Sequence, residues 1–482
     1  MRPDGVEFYG HVIDGHEVPS LDGATMDDVD PFTREPWARI ALGGKADADR
    51  AVAAARAAFD EGPWPRMGFE DRHRILHRLA DLIDAHADEL AMADTRDMGK
   101  PIGQARHDAA RAAWNVRFFA DHARMSTADA YPMDSGHHAF ATYEPAGVVV
   151  AISPWNFPLM QSTWKTAPAL AWGNTVVLKP AEDTPVSSTM LARLALAAGM
   201  PPGVLNVVHG YGPESVGAAL TANPSVDRIT FTGESGTGRA ISEAAARNLV
   251  PVSLELGGKG PNLVFDDADL DNAVAWSVEA IFRNAGQICL SGSRLYAQAG
   301  IYDEFLERFQ RAAEAMVAGD PKDPQTQFPL ALASEEHFRK VAAYLDTVEQ
   351  DGGRILTGGM GPGWSVLPTI IVDAPPAARV CREEIFGPVC VVHRFQDEDE
   401  AVAAANDTRY GLNAMVFTEN LSRAHRVSAR LRAGTVWVNC FFIRDLRAPF
   451  GGVGDSGVGR EGGTFSREFF TEPKAVIMQV DR

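Results

Sequence analysis

Cysteine is scarce in this chain. Four thiols (Cys289, Cys381, Cys390 and Cys440) stand in 482 residues, and no two form a C-x-x-C pair. A disulfide framework and a cysteine-rich zinc module are therefore excluded. Basic charge is short too: 45 Lys and Arg against 64 Asp and Glu leave a net charge of −19. A surface of that sign repels nucleic acid and anionic membranes, so neither is expected as a partner. Long apolar runs are missing; the run at 146–152 falls far short of a bilayer span. The opening stretch, Met1-Arg-Pro-Asp-Gly-Val-Glu7, carries acids where a secretory signal has its apolar core. Internal repeats, low-complexity segments and the H-E-x-x-H zinc pattern are absent as well. His137 and His138 are adjacent, while His73 and His77 stand four apart on a helical stretch with no third ligand evident. A solvated face is the expectation for that pair, and no metal site is expected. What remains is a soluble, cytoplasmic enzyme. Its 45% hydrophobic and 23% charged residues suit a large core, and its length predicts roughly two to four domains.

Residues 1–45 read as strands and turns, punctuated by Gly15, Pro19, Gly23 and Pro31. Ala, Leu and Ile recur at helical spacing over 47–59, over 71–97 and over about 102–125, the last stretch carrying Arg106, Arg111 and Arg117. Beyond 147 the pattern changes. Strands at 147–153, 175–179, 204–208, 228–231 and 252–256 alternate with helices at 159–171, 185–198, 213–221 and 237–248. Such alternation predicts a parallel sheet covered on both faces. Strands at 262–265 and 294–297, with helices at 270–283 and 301–317, continue it into a second α/β lobe. The stretch 469–480 reads as a strand that leaves the body.

The chemistry centres on Ala285-Gly-Gln-Ile-Cys289, a thiol among small residues followed by Ser291-Gly-Ser293. Small neighbours admit a substrate, and the N–H of the nucleophile can help bind an oxyanion. Lone cysteines are more often buried and inert. What adds weight is Glu255, which lies 289 − 255 = 34 residues upstream in Val252-Ser-Leu-Glu-Leu-Gly-Gly-Lys259. A glutamate in an apolar strand is an odd structural choice and a natural general base. Ser153-Pro-Trp-Asn156-Phe-Pro158 follows the first strand of the α/β series, where such folds place ligands. Asn156 can donate to an oxyanion or cap the helix that Pro158 begins. Lys179 and Glu182 end the next strand. They can hold a ribose, the carboxylate favouring a free 2′-hydroxyl, or stand as ordinary loop charges. Phe231-Thr-Gly233-Glu-Ser-Gly236-Thr-Gly238 joins a strand to a helix in the manner of a pyrophosphate turn, without the strict G-x-G-x-x-G spacing. Arg444-Asp-Leu-Arg447 precedes Pro449-Phe-Gly-Gly452; its arginines can grip a carboxylate or form an ion-pair cluster around Asp445.

Together these motifs resemble the NAD(P)-dependent aldehyde dehydrogenase superfamily over nearly the whole chain. The resemblance implies an α/β fold with two doubly wound parallel-sheet lobes, nucleotide-binding (1–126 and 146–255) and catalytic (256–455). A small β bridging element (127–145 and 468–482) would add strands across the subunits of a homodimer or homotetramer. The implied reaction is NAD-dependent oxidation of an aldehyde to an acid through a thiohemiacetal and a thioester on Cys289. Asn156 and the Cys289 N–H would hold the oxyanion, and Glu255 would activate the hydrolytic water. Lys165 matches a lysine of the active-site wall, and Glu461 an acid assigned to proton relay. The implied cofactor site takes in Ile152, Ser153, Pro154 and Trp155, then Lys179 with Glu182, and Gly212. It continues through Phe231, Thr232, Gly233, Glu234, Gly238 and Leu256, and ends with Glu384 and Phe386 of Glu384-Ile-Phe386-Gly-Pro388. CoA-acylating relatives typically lack the glutamate, so a free acid is the expected product.

Two positions depart from the family pattern. Glu234 stands where Ser is common, and an acid facing a pyrophosphate is repulsive unless turned away or paired. Phe450-Gly-Gly-Val-Gly-Asp-Ser-Gly457 puts Gly454 and Asp455 where a lysine is usual. Glu234 after Phe-Thr-Gly, together with Arg-Asp-Leu-Arg before Pro-Phe-Gly-Gly, resembles the 2-hydroxymuconic and 5-carboxymethyl-2-hydroxymuconic semialdehyde dehydrogenase branch, with its 2-aminomuconic relatives. Their substrates carry a carboxylate remote from the aldehyde. Arg111, with Arg444 or Arg447, would bind it. The alternative is a broad aliphatic or aromatic aldehyde dehydrogenase in which these arginines are structural. A catalytically silent relative is opposed by Cys289, Glu255 and Asn156 occurring together.

Overall fold

Val148-Val-Val-Ala-Ile152 and Thr175-Val-Val-Leu-Lys179 are buried along their whole length in the computed structural model, which describes residues 6–480. Strands apolar on both faces need cover on both faces, which helices packed over a parallel sheet supply. Five strands run parallel here, in the order Val252–Glu255, Arg228–Thr232, Val148–Ile152, Thr175–Lys179, Leu205–Val207. The outer strands of this eight-stranded sheet add antiparallel pairings to the expected parallel core. His11–Ile13 joins Leu205–Val207 antiparallel, and Gly457–Val458 joins Val252–Glu255 antiparallel. Those outer strands come from the two ends of the chain, so no crossover helix forces their direction.

The second sheet has seven strands in the order Arg354–Met360, Val366–Val372, Val389–Phe395, Arg294–Gln298, Pro261–Val264, Asn413–Phe417, Thr435–Val438. It is parallel apart from the hairpin formed by the first two. The helical stretch 71–97 is also corrected. Phe69–Ala85 stops at His86 (φ −108°, ψ 20°), and Ala87–Met98 starts a new helix there. No Gly or Pro announces this break; packing imposes it on residues whose propensity would allow one long helix.

His137–Pro145 pairs antiparallel with Thr471–Gln479 from Thr471 opposite Pro145 to Gln479 opposite His137, and Ala130–Tyr131 adds a third short strand. Tyr131, Ile477 and Met478 are exposed on it. Residues 1–5 and 481–482, the outer ends of the expected nucleotide-binding and bridging segments, lie outside the described residues, as does most of the acid-bearing N-terminal stretch.

Candidate active site

Strand register builds the site. Lys179 lies opposite Ile152, Ile152 opposite Phe231, and Thr232 opposite Glu255. Four adjacent strands therefore end in one row, at the carboxyl edge where parallel sheets receive ligands. Hydrogen bonds extend the row past the strands: Ser153 N–H donates to the Lys179 carbonyl (3.1 Å) and Gly233 N–H to the Glu255 carbonyl (3.0 Å).

Cys289 reaches this row on a sharply turned segment after the helix Leu270–Phe282. Asn284, Ala285 and Gly286 have φ of 51°, 51° and 70°, three successive left-handed residues. Left-handed backbone costs a non-glycine residue about 1–2 kcal/mol, so the surroundings must hold it. Gln287 does much of that: its Nε2 donates to the Asn284 carbonyl (3.0 Å) and its Oε1 accepts from Ala333 N–H (2.9 Å). At Gly286 the cause is closeness as well, since a Cβ there would stand 2.2 Å from the Gly387 carbonyl oxygen.

Asn156 is locked onto the same segment. Its Nδ2 donates to the Gln287 carbonyl (2.8 Å), which leaves the second N–H of that amide free for an oxyanion. The Asn156 carbonyl accepts from Lys100 Nζ (2.7 Å) and Asn284 Nδ2 (3.1 Å). The capping alternative does not hold: Phe157 occupies the N-cap of Pro158–Ala171, without a side-chain cap.

Two carboxyls in the site differ sharply. Glu461 accepts from Lys165 Nζ (2.6 Å), Thr230 Oγ1 (3.2 Å) and Ser253 Oγ (3.3 Å), and from Trp164 Nε1 at 2.5 Å. Glu255 is 4% exposed, and neither of its oxygens has a hydrogen-bond partner among the described residues. Burial, then the charge of Glu461, holds its pKa well above the carboxylate range, against the opposing pull of Lys165, Arg444 and Arg460. Burial likewise pushes the Cys289 thiol up to about 12, with Glu384 and Glu255 adding to the effect. The thiol is neutral at rest, and each group is a stronger base for having its pKa raised.

Around the row lie groups suited to a nucleotide. Lys179 Nζ sits 3.2 Å from Glu182 Oε2. The helix Ser235–Ala246 starts directly after Phe231, Thr232 and Gly233, and it packs so closely that a Cβ on Gly238 would stand 2.6 Å from Leu256 Cδ2. Glu234, the departure from the family pattern, is exposed and paired with Lys340 (3.4 Å). Asp455 is likewise paired, with Arg239 (2.9 Å) and Arg409 (3.3 Å). Glu384 Oε1 accepts from Gly258 N–H (2.8 Å), and burial pushes its pKa up to about 7. Phe386 meets Trp155 edge-on, 5.1 Å between centroids. Gly212 lies farther out, in the loop between Leu205–Val207 and Val216–Ala222.

The arginines separate. Arg444 is half-buried, its guanidinium 3.7 Å from the centre of the Phe450 ring and 4.6 Å from that of Trp164. Burial, then the charge of Arg111, lowers its pKa to about 10, while Glu255, Glu461 and Cys289 pull the other way. Arg111 lies over Trp114 (4.2 Å) and donates to Asn115 Oδ1 (3.3 Å); burial brings it to about 10 too. Neither has a carboxylate partner among the described residues, although the two feel one another's charge. Arg447 does not join them. It is 78% exposed at the side chain and chelated by Asp445 at 2.6 Å, which corrects its assignment to the substrate.

Sequence reasoning missed several supporting residues. Lys100, buried between Asp108 (2.6 Å) and the Asn156 carbonyl, stands in no motif. His337 Nε2 lies 2.7 Å from the Phe386 carbonyl, with its ring 4.8 Å from Trp155. Burial lowers its pKa to about 4, so it is a neutral hydrogen-bond donor to that carbonyl. Gln287 was in view beside Cys289, and a polar side chain between Gly286 and Ile288 was the available signal.

A family model described as "Aldehyde dehydrogenase family" matches residues 18–476. A 2-hydroxymuconic semialdehyde dehydrogenase of Pseudomonas sp. (strain CF600) is 47% identical over 484 residues, covering 98% of this chain and 99% of that protein. Aldehyde dehydrogenase family 2 member B4, mitochondrial, of Arabidopsis thaliana is 43% identical, covering 98% of this chain and 88% of that protein. The crystal structure of an NAD-dependent aldehyde dehydrogenase from Sinorhizobium meliloti superposes with a TM-score of 0.97 at 39% identity, covering 100% of this chain and 97% of that one.

Proposed function

This chain belongs to the aldehyde dehydrogenase family, and we propose that its substrate is an aldehyde with a remote carboxylate, of the 2-hydroxymuconic semialdehyde type. The family makes it an oxidoreductase that acts on an aldehyde. The observation that carries the finer reading is the pair Arg111 and Arg444, two half-buried guanidiniums that have no carboxylate partner among the described residues, with Arg444 close enough to Cys289 to feel its charge. Like charges brought together out of water are costly unless an anion neutralises them. A substrate carboxylate meets that need, and the fork of an arginine fits it. The likeness to a 2-hydroxymuconic semialdehyde dehydrogenase supports the same choice.

The cofactor is NAD, and the residues present fit it. Lys179 with Glu182 suits a ribose with a free 2′-hydroxyl, the start of Ser235–Ala246 suits a diphosphate, and Glu384 suits the second ribose. Thr232 Oγ1 is a buried hydroxyl on the same row without a hydrogen-bond partner among the described residues. When bound, NAD supplies the hydride acceptor.

The chain's own residues divide the remaining work. Cys289 Sγ, its proton removed, adds to the aldehyde carbon. The free N–H of Asn156 and the N–H of Cys289 hold the oxyanion. Glu255, as carboxylate, takes a proton from the water that attacks the thioester, and the acid leaves as the sulfur is released. Lys165 and Glu461 act on Glu255 through their charges. A second copy of this chain is the occupant we assign to the exposed edge around Ile477 and Met478, giving a homodimer or homotetramer. A cytoplasmic, reducing setting belongs to the same reading, because it keeps Cys289 a thiol.

NAD reduction with 2-hydroxymuconic semialdehyde, run beside a neutral aldehyde of similar length, tests the proposal. A higher kcat/KM for the semialdehyde is expected. Comparable turnover of the two would return the arginines to structure.

A further inference from the structure

Away from the active site, the helices Phe69–Ala85 and Ile102–Arg124 lie side by side, tied by polar rungs. At one end Arg124 Nε donates to Glu70 Oε2 (2.7 Å). At the other, Arg117 reaches Asp81 (2.6 Å) and Asp84 (2.7 Å). Residue number rises on one helix as it falls on the other, so the pair is antiparallel, and His73, His77 and Asp121 form the middle rung. That rung has no permanent cation. His73 Nε2 and His77 Nε2 each lie 2.8 Å from one and the same oxygen, Asp121 Oδ1. The two rings stand one helical turn apart with centroids at 4.1 Å, and the ligand atoms of all three residues lie within 4.8 Å of one another.

We propose that His73, His77 and Asp121 bind a divalent transition metal of the zinc class, through the two Nε2 atoms and one carboxylate oxygen, with water completing the shell. Two imidazoles and a carboxylate are a donor set suited to zinc. The i, i+4 spacing puts both rings on one helix face, and the antiparallel neighbour brings the third ligand to the point where they converge. Metal–ligand bonds of ~2.0–2.1 Å in a tetrahedron set the ligand atoms ~3.3 Å apart, so the N···O separations need to open by only about half an ångström. The rung is reachable, with side-chain exposures of 19%, 33% and 51% for His73, His77 and Asp121. Three neighbouring arginines are occupied: Arg74 pairs with Asp71 (2.7 Å), Arg117 with Asp81 and Asp84, and Arg124 with Glu70. His122, next along the helix, stacks on Phe118 (5.6 Å).

The test is titration of chelator-treated full-length protein with Zn²⁺ by calorimetry and with Co²⁺ by visible absorption. A Cys289→Ser background removes the most obvious competing thiol. One equivalent of Zn²⁺ is expected to bind and to raise Tm. Co²⁺ should give four-coordinate d–d bands without near-ultraviolet thiolate charge transfer. His77→Ala and Asp121→Asn should each weaken binding at least ~10-fold and abolish the Tm rise. Asp121→Asn keeps the side chain's size, which separates lost ligation from a damaged helix. No saturable binding, equal affinity in parent and variants, or a thiolate band would overturn the site.

Discussion

Lys165 Nζ lies 2.6 Å from Glu461 Oε1, and both side chains are buried. Three more donors complete the Glu461 carboxylate, whereas neither oxygen of Glu255 has a partner among the described residues. The pair therefore sets the field in which Glu255 titrates: Glu461 raises its pKa and Lys165 lowers it. Glu461→Gln removes the raising charge and leaves Lys165 uncompensated, so the Glu255 pKa falls. The acid limb of the pH–rate profile should move to lower pH. Breaking a buried pair on one side should also cost about 3–5 kcal/mol of stability, read by denaturant unfolding. An unmoved acid limb would remove Glu461 from this role.

Burial and neighbouring carboxylates raise the pKa values of both Glu255 and Cys289, the thiol to about 12. The reactive forms are present above those pKa values and are lost as pH falls. Turnover should accordingly climb from neutral into alkaline pH. Glu255→Gln should release one equivalent of reduced cofactor per chain and then stall, with an acyl adduct on Cys289 visible by mass spectrometry. Steady turnover near the parent rate would show that another group activates the water.

Asn156 has one N–H committed to Gln287 and one free. Asn156→Ala should lower kcat by ~10²–10³ with little change in KM, the signature of a donor that acts on developing charge. A rise in KM alone would reassign the residue to substrate binding.

Glu182 lies beside Lys179, and we propose it as the group that disfavours a 2′-phosphate. Glu182→Gln should raise kcat/KM with NADP at least ~10-fold, as loss of an unfavourable contact of about 1.4 kcal/mol gives. An unchanged NAD-to-NADP ratio would place selectivity elsewhere.

The parallel strands of the first lobe were legible because burial on two faces leaves continuous apolar strings such as Val148-Val-Val-Ala-Ile152. By contrast, Arg354–Met360, Val366–Val372, Val389–Phe395 and Asn413–Phe417 of the second lobe were not named from the sequence. Cys289, Glu255 and Asn156 were legible because each is a polar residue in a small or apolar context. Choosing between Arg444 and Arg447 was not possible from spacing. One turns onto Phe450 and Trp164, a ring 280 positions away (444 − 164), while Asp445 holds the other outside. The break at His86 carries no residue signal. Asp121 was invisible as a partner of His73 and His77 for a similar reason, since helix packing closes a gap of 48 and 44 residues.

The central claim is that Arg111 and Arg444 read a remote carboxylate. Its most direct test is the ratio of kcat/KM for 2-hydroxymuconic semialdehyde to that for a neutral aldehyde of similar length, in the parent and in Arg111→Leu and Arg444→Leu. Hydrogen bonds to charged groups contribute ~1.5–3 kcal/mol, so each variant should lower the ratio by ~10–100-fold, almost entirely through the semialdehyde. A ratio that stays at the parent value while both rates fall together would contradict the claim.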